Sequence, residues 1–256
     1  MMMNSEGKTF VIGDIHGSYK ALVQVLERSG FDNSKDKLIC LGDYVDGYSG
    51  SVEVVDLLIK LQEESNGRHV FLAGNHDLLL QLWLTEGREE LVWVMNGGLT
   101  TQKSYVESGK LTDSNHKEFF KNLQYYYEDG NRRAFVHAGF DSENGLGYDT
   151  QHEYVWSRDF WNNCLNQSSM KSRVYDEIYI GHTPTINYMI KPHYLEYKDD
   201  RQEKNGVITV PMFRKGVYNL DTGCGWGRKL TMMNVETKEY FQSDNSFELY
   251  PEEKGR

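Results

Sequence analysis

Basic charge, cysteine, proline and long apolar runs are all scarce in this 256-residue chain. There are 28 Lys+Arg against 38 Asp+Glu, a formal net charge of −10. A surface with that excess repels polyanions, so broad binding to nucleic acid or an anionic membrane is disfavoured, while a small cationic pocket stays compatible. The three cysteines, Cys40, Cys164 and Cys224, are widely spaced and form no CxxC pair. That removes a thiolate zinc site and a disulfide framework, and a reducing cytoplasm fits best. The most apolar window, LLLQLWL (Leu78 to Leu84), is too short to span a bilayer. The opening MMMNSEGK shows no charged segment followed by an apolar one, so no secretory leader is expected. Four prolines, no low-complexity tract and no internal repeat leave nothing to divide the chain, and one domain over residues 1–256 is expected. What is present is 39% hydrophobic and 13% aromatic residues, enough for a substantial core.

The first third alternates two periods. TFVIG (Thr9 to Gly13), KLICLG (Lys37 to Gly42) and HVFLAG (His69 to Gly74) are β-rich runs that stop at glycine. Between them, Ala21, Leu22, Val25 and Leu26 fall on one helical stripe, with Ser18 at the N-cap position and Gly30 at the end. Val54, Leu57, Leu58 and Leu61 mark a second helix, and Asp77 to about Leu84 a third. This βαβαβ order predicts a parallel sheet with right-handed crossovers. Residues Glu86 to Tyr127 read as helical and aromatic, with a charged helix near His116 to Leu123. Strands are expected at RAFVHAG (Arg133 to Gly139), EIYIGH (Glu177 to His182), VYNLDTG (Val217 to Gly223), KLTMMNV (Lys229 to Val235) and EYFQS (Glu239 to Ser243). Phe140 to Thr150 and Lys191 to Gly216 have no clear period and read as functional rims or flaps.

Polar side chains follow the strands. Asp14 and His16 leave the first, Asp43 and Asp46 the second, Asn75, His76 and Asp77 the third, and His137 and His182 two later ones. The carboxyl edge of an open α/β sheet is where ligands bind. Any one Asp-x-His or Asn-His is more often an Asx turn or a satisfied surface histidine. Three in order behind three strands, then two strand-end histidines, exceed coincidence. Imidazole, carboxylate and amide oxygen together suit Mn, Fe, Zn or Ni. Six such groups, Asp14, His16, Asp43, Asn75, His137 and His182, are too many for one tetrahedral ion. They suit two ions sharing a carboxylate, which at roughly 3.5–4 Å apart can clamp a phosphoryl group.

GDIHG (Gly13 to Gly17), GDYVDG (Gly42 to Gly47), GNHD (Gly74 to Asp77), VHAG (Val136 to Gly139) and GHTP (Gly181 to Pro184) resemble the phosphoprotein phosphatase family of calcineurin-like metallophosphoesterases. The likeness is nearest to the lambda-phage type of bacterial and phage serine/threonine protein phosphatases, with the bacterial diadenosine tetraphosphatases as relatives. WVMNGG (Trp93 to Gly98), VWSR (Val155 to Arg158) and LDTG (Leu220 to Gly223) extend it, over a core of about residues 8–243. The resemblance implies an α/β (α+β, four-layer) fold of two packed mixed β-sheets flanked by helices. It implies a site in which Asp14 and His16 hold one divalent ion, Asn75, His137 and His182 a second, and Asp43 bridges both, with Mn²⁺ ahead of Fe, Zn or Ni. His76 would be the general acid, Asp46 would fix its tautomer, and a metal-bridging hydroxide would attack in line.

The resemblance departs at Gly47, where the family's second motif carries a phosphate-gripping arginine. Arg158 is the first candidate to replace it, then Arg228 and Lys229, then Arg214 or Lys215, and Gly47→Arg is expected to raise kcat/KM for a phosphomonoester. Asp77 stands where Glu is commoner and keeps the charge. Cys224, lacking a paired histidine, reads as packing, as do Tyr125 to Tyr127 at a core edge, while Trp156 and Trp161 bracket Arg158 as pocket wall or base. The implied activity is a metal-dependent phosphoesterase acting on a phosphorylated protein or small phosphoester, first of all a serine/threonine protein phosphatase. A dinucleoside polyphosphate hydrolase is the alternative, with a nucleotide or RNA-end phosphatase behind it. A non-catalytic phospho-ligand binder is opposed by the intact set of ligands.

Overall fold

The computed structural model describes residues 7–166, 172, 174–188 and 207–256. Ten strands occur among them: β1 (Thr9–Ile12), β2 (Lys37–Cys40), β3 (Val70–Phe71), β4 (Tyr126–Glu128), β5 (Arg133–Val136), β6 (Glu177–Ile180), β7 (Met212–Arg214), β8 (Val217–Asn219), β9 (Thr231–Asn234) and β10 (Tyr240–Gln242). They form two five-stranded sheets, ordered β10-β9-β1-β2-β3 and β4-β5-β6-β8-β7. Each contains a parallel run, β1-β2-β3 at one end of the first sheet and β5-β6-β8 in the middle of the second, with antiparallel strands completing it. The sheets are therefore mixed, as the resemblance implies, and the parallel reading of the first third holds for β1 to β3. Parallel strands are buried on both faces, which is why β1, β2, β5 and β6 read as unbroken apolar runs.

The five strands expected in the second half all form, a few residues shorter than their apolar runs. Two further strands escape the sequence reading. β4 straddles the end of the Glu86 to Tyr127 stretch taken as helical and aromatic, and β7 lies in the stretch taken as irregular. Both are three-residue edge strands, specified by the antiparallel neighbour they meet and not by a local period. Most of Lys191 to Gly216 lies outside the described residues, and Phe140 to Thr150 forms turns.

Helices α1 (Tyr19–Ser29), α2 (Ser51–Glu64) and α3 (Asn75–Glu86) follow the first three strands. Ser18 occupies the N-cap of α1 without capping it, because its hydroxyl bonds Ser246 Oγ at 3.2 Å. Gly30 ends α1 in the left-handed region, as expected. Tyr126 packs on Tyr154 and the Tyr127 hydroxyl accepts from Lys37 Nζ at 2.6 Å, so these tyrosines do line a core edge.

His69, at the foot of β3, accepts from the Leu38 N–H at Nδ1 and donates from Nε2 to Asn33 Oδ1 at 2.6 Å. Burial, with help from Arg68, lowers its pKa to about 4. The unfolded chain then binds the extra proton first, so stability is complete above the ordinary value of 6.5 and declines as pH falls toward 4. An NMR titration of the His69 ring should give a midpoint near 4, alongside a falling melting temperature in that window. A midpoint near 6.5 would contradict this reading.

Candidate metal centre

The strand-end loops are stitched together by their backbone. Ile15 and His16 N–H groups both donate to Asp43 O, Gly181 N–H donates to His137 O, and His182 N–H donates to the Asp14 carboxylate. Asp77 completes the seam: its two oxygens accept from the N–H groups of Asp43, Gly74 and Tyr44 at 2.7–2.9 Å. The shorter acidic residue at this position thus ties the second loop to the third. Gly74 is required by close approach, since a Cβ there would fall on Asp43 Oδ1. His16, Asp43, Asp46 and His182 have positive φ of 52, 53, 71 and 63°. Non-glycine residues rarely adopt that conformation, and it costs of order 1–3 kcal/mol each. The surrounding bonds hold it, and it aims side chains inward that an ordinary turn would send elsewhere.

The six expected ligands converge. Asp14, His16 and Asp43 place one donor atom each within 4.8 Å of one another, and so do Asp43, His137 and His182. Asp43 belongs to both groups. Its Oδ2 lies 3.7 Å from His16 Nε2 and 3.5 Å from His137 Nε2. Asn75 Oδ1 is 3.3 Å from His137 Nε2. All six residues are buried. Each imidazole is oriented by a carbonyl on its other nitrogen: His16 Nδ1–H donates to Val45 O, His137 Nδ1–H to Leu41 O, and His182 Nε2–H to Trp156 O. This fixes which ring nitrogen is free for a ligand.

The electrostatics fit bound cations. Burial raises the Asp14 pKa, and Asp221 and Asp43 raise it further. Burial lifts the Asp221 carboxyl to about 6. Burial would raise Asp43 too, but His137, His76, His16 and Arg256 outweigh it and hold the carboxyl well below its ordinary range. Burial, then Arg256, keeps His16 neutral. Carboxylates crowded in a dry pocket beside neutral imidazoles are costly without positive charge. The residues present therefore suit a pair of divalent ions.

Beside this cluster stands an imidazole–carboxylate pair. His76 Nδ1 is 2.6 Å from Asp46 Oδ2, and the His76 backbone N–H donates to Asp43 Oδ1. The same Asp46 oxygen accepts from Trp93 Nε1 at 2.7 Å. Trp93 is fully buried, and sequence reasoning missed its part here although the WVMNGG segment was noticed. Asp221, inside the noticed LDTG, is a second omission.

Of the expected phosphate-binding cations, Arg158 borders the cluster. Its Nη1 donates to His182 O at 3.3 Å and Thr183 Oγ1 at 3.4 Å. Trp156 meets the His182 ring edge-on, as a pocket wall, and Trp161 is fully buried. Arg228 is held at the Gly223 turn through its backbone, donating to Gly223 O and accepting from Ser246 N–H. Cys224 is buried with its thiol pushed up to about 12 by burial, a packing residue as expected. The cation found deepest in the site was not foreseen: Arg256 Nη1 lies 2.9 Å from His16 Nε2.

The backbone at position 47 weighs against the expected gain from Gly47→Arg. Gly47 has φ of +103°, a conformation a side chain rarely adopts. A Cβ there would approach Arg256 Cγ and His16 O, each at 3.3 Å.

Residues 7–210 match the family model described as calcineurin-like phosphoesterase. A symmetrical bis(5'-nucleosyl)-tetraphosphatase of Coxiella burnetii is 25% identical, over 91% of this chain and 90% of that one. Among solved structures, one provisionally assigned as a diadenosine tetraphosphatase superposes with a TM-score of 0.62 at 15% identity, covering 94% of this chain and 95% of that one. A serine/threonine phosphatase of Saccharomyces cerevisiae, similar to human PP5, gives 0.61 at 13% identity, covering 95% and 81%. Among the described residues no helix is long and apolar enough to cross a membrane.

Proposed function

From its place in the calcineurin-like phosphoesterase family, to which the chain belongs, we propose that this protein is a two-metal phosphohydrolase of dinucleoside polyphosphates. The observation that carries the two-metal reading is Asp43 Oδ2 standing between His16 and His137, in both three-donor groups. Asp14, His16 and Asp43 would hold one ion, and Asp43, Asn75, His137 and His182 the other. Such ions supply Lewis-acid charge for phosphoryl oxygens and lower the pKa of a water.

The chain's own groups supply the rest. His76 would give a proton to the leaving oxygen from Nε2. Asp46 would hold the ring by Nδ1, and Trp93 would hold Asp46. A buried carboxylate fixed from two sides keeps the imidazole in one tautomer and one orientation. Arg158, exposed at the rim beside His182, would meet the outer part of a long polyphosphate.

The substrate class rests on the curated relative, whose named activity spans most of this chain's length. The serine/threonine phosphatase first expected from the motifs becomes the second reading, supported by the overall likeness of those motifs to the lambda-phage type. Side-by-side assays with Mn²⁺ separate the two. Diadenosine tetraphosphate should be cleaved with a kcat/KM at least about tenfold above that of a phosphoserine peptide, a gap of about 1.4 kcal/mol in transition-state stabilisation. The reverse order would establish the second reading and overturn the first.

A further inference from the structure

Arg256 lies far from every motif in sequence, yet its guanidinium reaches the first ligand group. The contact with His16 joins residues 240 positions apart. The backbone is anchored by Arg256 N–H donating to Gly225 O at 2.8 Å, and the guanidinium carbon sits 5.4 Å over the Trp226 ring. The stem runs through space that glycines leave open. A Cβ on Gly47, Gly97 or Gly225 would lie 3.0–3.4 Å from its Cγ or Cδ. Three small residues thus make a channel for one long side chain.

The guanidinium is also under-used. Its Nε is buried and has no hydrogen-bond partner. A buried, unpaired donor on a permanently charged group is costly unless a ligand satisfies it. Neutral His16 Nε2 is a modest partner for such a cation, and it is the very atom a metal ion would take. A tetrahedral oxyanion suits the fork better, since guanidinium donors match two phosphate oxygens at once.

We propose that Arg256 is a substrate-binding residue whose guanidinium, threaded past Gly47, Gly97 and Gly225, grips phosphoryl oxygens at the metal pair. The assignment rests on the phosphohydrolase reading, and it accounts for the absence of a side chain at position 47. The space an arginine there would enter is filled from the other end of the sequence. Lysine could keep the charge but not the two-pronged bond.

The test needs binding as well as turnover. Radiolabelled orthophosphate is dialysed to equilibrium against Mn²⁺-loaded wild type, Arg256→Ala and Arg256→Lys, and Mn²⁺ affinity is measured by calorimetry on each. Arg256→Ala should retain phosphate about 10–100-fold more weakly, roughly the worth of one charge-assisted hydrogen bond. Its kcat/KM should fall by a similar factor and its Mn²⁺ affinity should not fall, since the guanidinium contacts the nitrogen a metal would take, while Arg256→Lys should recover only part of the phosphate loss. Unchanged phosphate affinity in Arg256→Ala overturns the proposal, and a rise in Mn²⁺ affinity would then mark the guanidinium as a mere stand-in for a cation at His16. Loss of Mn²⁺ binding in Arg256→Ala overturns it as well, because the residue would then be structural. A wild type that binds phosphate but cleaves no phosphoester or anhydride refutes the proposed function alone and leaves the binding comparison in force.

Discussion

His76→Ala should lower kcat about 10²–10⁴-fold for a substrate with a poor leaving group, the usual worth of a placed general acid. The ring is buried and fixed by Asp46, which Trp93 backs in turn. The deficit should shrink for p-nitrophenyl phosphate, because its leaving phenolate needs little protonation. Mn²⁺ affinity should be preserved, as His76 is outside both ligand groups. Parallel kinetics on the two substrate types and calorimetric metal binding check this. Equal rates for variant and wild type on the poor leaving group would remove His76 from the chemistry.

Stripping divalent ions should abolish turnover and also soften the fold. The apo site confines Asp14, Asp43 and Asp221 in one buried pocket, and burial works against ionisation of each. Each ion that binds only the folded chain adds about 2.7 kcal/mol of stability at a hundredfold excess over its Kd. For a chain of this size that is about 5–10 °C in melting temperature. Calorimetric scans with chelator and with Mn²⁺ should show the rise, and activity should return with the metal. Asp43→Asn should lose most of both effects in one step, since a single carboxylate serves both groups. A wild-type melting temperature indifferent to every divalent ion would contradict a metal centre here.

Much of this site is legible in the sequence alone. Glycine-terminated apolar runs announce parallel strands, and the polar residues just past them are bound to share one edge of the sheets. That logic brought together Asp14, His16, Asp43, Asn75, His137 and His182 from five separate segments. It fails where position depends on a partner that no local pattern encodes. Strands β4 and β7 are too short to carry a period. Val45, Leu41 and Trp156 orient the imidazoles through main-chain carbonyls, which any residue type would offer. Trp93 reads as an ordinary core aromatic until its indole is seen on Asp46. Arg256 sits in no motif, and Gly47 showed only that something was missing. The replacements were sought near the known motifs, whereas the side chain that packs beside position 47, Arg256, arrives across tertiary space.

The long reach of these contacts has a consequence for how the protein comes to life. His182 meets Asp14 across 168 positions, and Arg256 meets His16 across 240. Such distant pairs close late, since the entropy of drawing a long chain together is spent before the contact rewards it. A nascent or half-folded molecule therefore holds its hydrolytic centre in disconnected pieces. The proposed centre is complete only once these long-range pairs have formed.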